Sequence, residues 1–551
     1  MSTGLRERVA GLMPGVKGEL AELVAITSVA DPRQFPAAEC DRAAQWVLDR
    51  FAEVGFTGLR LEPTADGSKA VYGERPGPAG APTVLLYAHY DVQPPLDDEA
   101  WRTPPFELTE VDGRWYGRGT ADCKGNILMH LTALRALGDD VPVGLKLIVE
   151  GSEEQGTGGL EDFVPKHREL LQADAILVCD TGNAAVGEPA VTSSLRGLAN
   201  VIVTVEALSS EMHSGMFGGA APDALAALIH MLATLRDAKG NTTIDGLDGT
   251  GVWEGTEYPP DRFRSDANVL DGVDLLGDGR VSDMLWARPA ATVLGIDCPP
   301  VVGSAAAIQP HAKARINLRV PPGMDPVTAQ DALIAHLEAA APWHVKVTVE
   351  RESSGSPFEA RTGGPAYAAL DEAMTEAYGK GFTTLGQGGS IPLCNVFADA
   401  YPEAEIILMG VEEPLTLMHA PNESVAPSEI EHMALAEALF LQKYAEGRRS
   451  FAERAAAPGL RSAATREGGA QGRAERSDPG TESFAERAAV PGLRSAATRE
   501  GGAQGRAERS DPGTESFAER AAVPGLRSAA TREGGAQGRA ERSDPGTGTA
   551  A

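Results

Sequence analysis

Four short runs of apolar residues constrain this chain most: TVLLYAHY from Thr83, GLKLIVEG from Gly144, DAILVCD from Asp174 and EIILMG from Glu405. A strand that alternates apolar with polar residues keeps one face in water, whereas a strand apolar throughout has to be covered on both faces. Stretches with helical periodicity, such as NILMHLTALRAL from Asn126, separate these runs. The pattern predicts an α/β fold: a mostly parallel mixed sheet with helices on both faces.

The texture changes near Arg196. GLANVIVTVEA alternates at period two, PDALAALIHMLATL reads as a helix, and HAKARINLRVPP, AQDALIAHLEAA and HVKVTVERE repeat strand, helix, strand. These pieces predict a small inserted α+β domain of ferredoxin-like plan over 195–356. The larger domain is then split into 1–194 and 357–448. From Ser450 the unit SFAERAAAPGLRSAATREGGAQGRAERSDPGTE recurs from Ser483 and Ser516, three copies at a period of 33 residues. Each copy sets Gly, Pro and Arg where a core needs Leu, so 449–551 is expected to be a disordered tail, with a multivalent interaction array as the functional alternative.

A copy of the repeat carries five arginines against five acidic residues, so nearly all of the net charge of -29 belongs to the first 448 residues. That charge argues against nucleic acid or an anionic membrane as a partner. The N-terminal MSTGLRERVAGLMPG lacks the apolar core of a secretory signal, and no apolar run approaches the roughly 20 residues that cross a bilayer. A cytoplasmic protein is expected. The five cysteines are scattered without a C-x-x-C pair, which speaks for reduced thiols rather than a disulfide framework.

Ligands of open α/β sheets bind beyond the carboxyl ends of the strands. Here that edge is crowded: His89 and Asp91 follow the first apolar run, Glu153 and Glu154 the second, Asp180 ends the third, and His419 comes shortly after the fourth. Asp122, in GRGTADCKGN, sits in a Gly-rich turn just ahead of a helix. Taken singly, a histidine in an apolar run is usually a satisfied core residue and an aspartate at a strand end a cap. Together they leave several carboxylates uncompensated on one edge, a cost that divalent metal removes. Two histidines and three carboxylates without cysteine suit zinc or manganese, and a shared carboxylate can hold two ions about 3.5–4 Å apart. One of the adjacent glutamates then ligates metal while the other takes a proton from water; spacing leaves open which does which.

The segments LLYAHYDVQP, WRTPPFELTEVDGRWYGRGTADCKGN, VEGSEEQGTGGLED, MHSGMFGGAAPDAL and MHAPNES together resemble the di-metal peptidase superfamily of aminoacylases, succinyl-diaminopimelate desuccinylase, carboxypeptidase G and carnosinase-like cytosolic dipeptidases. The resemblance runs from about residue 10 to about 445 and is strongest to the dipeptidase branch. It implies that His89, Asp122 and Asp180 hold one metal and Asp122, Glu154 and His419 the other, with Asp122 as the bridge. It further implies two divalent ions per subunit, zinc first, with manganese or cobalt as alternatives. Glu153 takes the place of the general base and Asp91 that of the residue orienting His89. A cis peptide is implied after Asp122. The inserted domain becomes a lid and dimerisation domain whose His213 reaches the partner's active site and steadies the oxyanion. Arg319, with Gly389 and Ser390, is implied to hold the substrate's terminal carboxylate. The function so implied is hydrolysis of dipeptides; an N-acyl-amino-acid deacylase or a carboxypeptidase using the same metals is the alternative, and a catalytically silent scaffold recruiting partners through its tail is a third. Two departures stand out: Cys123, where many relatives carry Asp or Asn, and Gln309, where proline is common.

Overall fold

The computed structural model describes residues 2–456. The four apolar runs are neighbouring parallel strands, ordered Gly144–Glu150, Thr83–His89, Ala175–Cys179 and Glu405–Met409. Successive side chains of a strand point to opposite faces. Val84, Leu86 and Ala88 accordingly enter one apolar core and Leu85 and Tyr87 another. Helices Ser2–Val24, Ala37–Glu53, Lys124–Leu137, Pro365–Tyr378 and Pro427–Ala456 supply the first core; Gly159–Lys166 and Pro392–Ala400 supply the second. With both faces covered, a polar residue within these strands would lose its water, which is why the runs are apolar throughout.

The expected mixed α/β plan holds, with a refinement. Among the described residues the sheet has nine strands, and parallel pairing dominates only its centre. At one margin Thr57–Pro63 pairs antiparallel with Lys69–Arg75, which pairs antiparallel with Gly144–Glu150. A connection as short as 64–68 can only fold a strand back on itself. At the other margin Ala190–Leu195 runs antiparallel to Glu405–Met409 and Phe358–Glu359, and parallel to Thr383–Gln387.

Register decides where the chemistry sits. His89 lies opposite Glu150, and Met409 opposite Cys179, so the carboxyl ends of the central strands are nearly level. Asp91, the Glu153–Glu154 pair, Asp180 and the loop to His419 all leave from that edge. The helix Lys124–Leu137, buried at every residue but Arg135, begins at the same edge immediately after Asp122 and Cys123. Its amino end favours a nearby carboxylate.

A second sheet is antiparallel and four-stranded, ordered Ala290–Asp297, His311–Val320, Gly197–Glu206 and Lys346–Gly355. Helices Ala224–Ala233 and Pro326–Ala339 share its apolar core. Strand, helix, strand, strand, helix, strand in chain order is the ferredoxin-like plan. The chain crosses between the sheets at two adjacent places, and Gly197 lets them touch: a Cβ there would stand 2.3 Å from the Gly355 carbonyl oxygen. The helix from Pro427 continues to Ala456, so the segment 449–456 is helical rather than disordered. Its SFAERAA sequence is rich in strong helix formers, which extends the preceding helix without a break. The rest of the three repeats lies outside the described residues.

Candidate metal centre

The residues read from separate segments of sequence converge. His89 Nε2 lies 3.0 Å from Asp122 Oδ1 and 3.0 Å from Asp180 Oδ1. His419 Nε2 lies 3.0 Å from Asp122 Oδ2 and 3.0 Å from Glu154 Oε2. Asp122 thus stands between the two imidazoles with one oxygen toward each. His89 Nδ1 donates to the Asp91 carbonyl at 3.0 Å, which leaves Nε2 with a lone pair in the neutral ring. A nitrogen lone pair and two carboxylate oxygens aimed at one point repel one another unless a cation lies among them. That is the donor set of a divalent-metal site, so the residues present fit a metal.

The electrostatics agree. Hydrogen bonds to Asp122 and Glu154 push the His419 imidazole up to about 11, so that a proton is held where a cation would sit. Burial, reinforced by the charge of Asp122, pushes Glu154 up to about 7. Cys123 also lies within ligand reach of His89 and Asp180. Its thiol donates to the Cys179 carbonyl at 2.9 Å, and burial first of all pushes it up to about 12, so Asp122 is the anionic donor of choice. The Asp122–Cys123 peptide is cis, as the resemblance implies.

Glu153 lies outside both ligand groups. Burial, and then the charge of Asp180, raises its carboxyl well above the ordinary range. Asp91 touches His89 through its main-chain carbonyl. Its carboxylate lies 3.5 Å from the same ring nitrogen and also accepts from the Glu153 amide at 3.2 Å and the Glu154 amide at 3.1 Å, fixing the turn that carries both glutamates. Gln93 adds a bond to Glu154 Oε2 at 2.8 Å.

Sequence reasoning missed what holds His419 beside Asp122. Leu417, His419 and Asn422 all adopt left-handed backbone, a conformation costing roughly 1–2 kcal/mol per residue. The Asn422 side chain ties this loop to Arg102 N and Ala100 O. Glu423, fully buried, accepts from Arg118 at 2.7 Å and from the amides of Gly119, Ala121 and Asp122 at 2.9, 3.1 and 3.2 Å. One carboxylate thereby joins the loop carrying His419 to the loop carrying Asp122. Glu423→Ala leaves a buried guanidinium unpaired and is expected to lower stability by about 3–5 kcal/mol, read by urea unfolding of the metal-free protein. Metal affinity measured by calorimetry falls with it.

The other residues implied by the resemblance lie elsewhere. His213 is exposed on a ribbon that pairs Met212–His213 with Ala307–Ile308, and its ring accepts from the Gly215 amide. Arg319 lies on a central strand of the four-stranded sheet. Gly389 is exposed beside the half-buried Ser390. A cavity of about 330 Å³ lined by Gly182, Gln387 and Met418, among others, separates the segment before that loop from the neighbours of Asp180 and His419.

A family model described as peptidase family M20/M25/M40 matches residues 85–443. The cysteinylglycine-S-conjugate dipeptidase of Corynebacterium striatum is 44% identical over 434 residues, which is 77% of this chain and 94% of the relative. The beta-Ala-His dipeptidase of Mus musculus is 28% identical over 361 residues, 62% of this chain and 73% of the relative. Among solved structures, human carnosine dipeptidase 1 superposes with a TM-score of 0.68 at 25% identity, covering 81% of this chain and 99% of that one. The dipeptidase Dug1p of Saccharomyces cerevisiae gives the same TM-score and coverage at 23% identity, a likeness of fold.

Proposed function

This chain belongs to peptidase family M20/M25/M40, and from that membership we propose that it is a metal-dependent dipeptidase hydrolysing the peptide bond of dipeptides with a free C-terminal carboxylate. The observation that carries this reading is the pair of imidazoles 3.0 Å from the two oxygens of Asp122, with Asp180 and Glu154 completing the two sides. His89, Asp122 and Asp180 would hold one ion; Asp122, Glu154 and His419 the other, with zinc the best match and manganese or cobalt as alternatives. Bound there, two divalent ions supply Lewis acidity toward the scissile carbonyl and toward the attacking water.

The chain's own residues do the rest. Glu153 takes the proton of the attacking water and returns it to the departing amine; a buried carboxyl that holds its proton more tightly than in water suits a group that must do both. Asp91 keeps Glu153 aimed by capping its amide. Arg319, with Gly389 and Ser390, takes the terminal carboxylate. His213 steadies the oxyanion in the cleft of a second copy of the chain. In support of a homodimer, the edge strand Ala290–Asp297 exposes Val293, Leu294 and Ile296, and an unpaired apolar edge invites another strand.

No described helix is long and apolar enough to cross a membrane. A cytoplasmic enzyme without nucleic-acid partners is consistent with the acidic composition. The test is side-by-side hydrolysis of cysteinylglycine and N-acetylcysteinylglycine by zinc-loaded protein. Preference for the free amine, lost on chelation, is expected. Turnover confined to the acetylated compound would instead support a deacylase or carboxypeptidase.

A further inference from the structure

The adjacent glutamates sit on Glu153–Gln155, a single turn of 3₁₀-helix, too short to keep its shape by its own hydrogen bonds. Asp91 holds it through the amides of Glu153 and Glu154. The residues just outside the turn, Ser152 and Thr157, are held from another part of the chain. Ser152 Oγ donates to Asp66 Oδ2 at 2.6 Å, and Thr157 Oγ1 donates to the same oxygen at 2.5 Å. Ser68 Oγ adds a bond to Ser152 Oγ at 2.9 Å. One carboxylate oxygen thereby ties both ends of the segment that carries Glu153 and Glu154.

Sheet topology brings Asp66 there. Strand Lys69–Arg75 runs antiparallel to Gly144–Glu150, so the hairpin loop 64–68, which precedes the first, lies beside the carboxyl end of the second. An aspartate in such a loop ordinarily caps its own turn. Half of Asp66 does so: Oδ1 accepts from Thr64 Oγ1 at 2.6 Å and from the Ser68 amide at 3.0 Å. Oδ2 serves the glutamate turn instead. A Cβ on Gly159 would stand 2.7 Å from Asp66 Oδ2, so the glycine admits the carboxylate against the start of helix Gly159–Lys166. Burial opposes ionisation here, yet hydrogen bonds from Ser152, Thr157 and Thr64 hold the carboxyl well below the ordinary range.

Resting on the dipeptidase reading, we propose that Asp66 is a positioning residue for the reaction: through Ser152 and Thr157 it sets where Glu153 meets the attacking water and where Glu154 meets its metal. It acts through the turn and not on the reacting atoms. A displacement of about 1 Å in such a group costs roughly a hundredfold in rate. The rival account is that Asp66 only closes its own hairpin.

The two accounts part at the two oxygens. Ser152→Ala/Thr157→Val removes the side-chain donors to Oδ2 and leaves the bonds to Oδ1, whereas Thr64→Val removes a donor to Oδ1 and leaves those to Oδ2. With zinc-loaded protein and cysteinylglycine, the double variant should lose roughly ten- to a hundredfold in kcat with KM little changed. It should also hold one of its two ions less tightly against a chromophoric chelator. Ser152→Ala/Thr157→Ser, which returns one hydroxyl, should recover part of both losses. Thr64→Val should keep the wild-type kcat and metal affinity. In metal-free protein, hydrogen–deuterium exchange should quicken across 152–157 in the double variant and not in Thr64→Val. An unchanged kcat in the double variant, an equal loss in Thr64→Val, or exchange that quickens throughout the chain would overturn the assignment. Thr157 is exposed, so Thr157→Val alone carries the comparison should the double variant not fold. The exchange and chelator readings need no turnover: if they respond as expected while the wild type cleaves no dipeptide, Asp66 still positions the turn and the dipeptidase reading falls.

Discussion

Glu153→Gln is expected to leave the bound metal unchanged and to lower kcat by roughly 10²–10⁴-fold. Glutamine keeps the size of the side chain and the amide capped by Asp91, so the turn carrying Glu154 stays in place. What disappears is the group proposed above to accept a proton. Glu153 faces neither imidazole as a ligand, whereas its neighbour Glu154 reaches His419 at 3.0 Å. The two adjacent carboxylates therefore have separable roles, and the substitution separates them. Metal analysis beside steady-state kinetics checks it: loss of one ion per chain would make Glu153 a ligand, and an unchanged kcat would remove it from proton transfer.

Asp122→Asn should have the wider effect, lowering the occupancy of both ions and taking hydrolysis below detection. Each carboxylate oxygen of Asp122 faces a different imidazole, and an amide nitrogen at either place offers a hydrogen where a lone pair is required. Asp180→Asn touches His89 alone, and Glu154→Gln touches His419 alone, so each should weaken one side. Competition with a chromophoric chelator measures the affinities. A single ion lost from Asp122→Asn, with the other as tightly held as before, would mean that Asp122 does not bridge.

Much of the sheet and most of the candidate ligands were legible because both follow from local rules. A strand apolar at every position is a strand buried on both faces, and a histidine or carboxylate at its carboxyl end is already placed at the functional edge. His89 and Asp180 were readable in that way. Asp122 was readable through the Gly-rich turn ahead of a helix, and His419 largely through family resemblance, since a whole loop separates it from Met409.

What escaped is what depends on residues far apart in sequence. Glu423 bonds the Gly119 amide across 304 positions, and nothing in PNES hints at an amide cradle. Asp91 shows the intermediate case. Its contact with His89 was expected, and the carboxylate does lie 3.5 Å from the ring nitrogen; that the same carboxylate also caps the amides of the glutamate turn had no signal in the sequence.

The central claim is that His89, Asp122, Glu154, Asp180 and His419 together cage two divalent cations. Anomalous diffraction at the zinc edge from crystals of zinc-loaded protein tests it most directly. Two peaks about 3.5–4 Å apart, on either side of the Asp122 carboxylate, are predicted. One peak, or peaks remote from these five residues, would contradict the account.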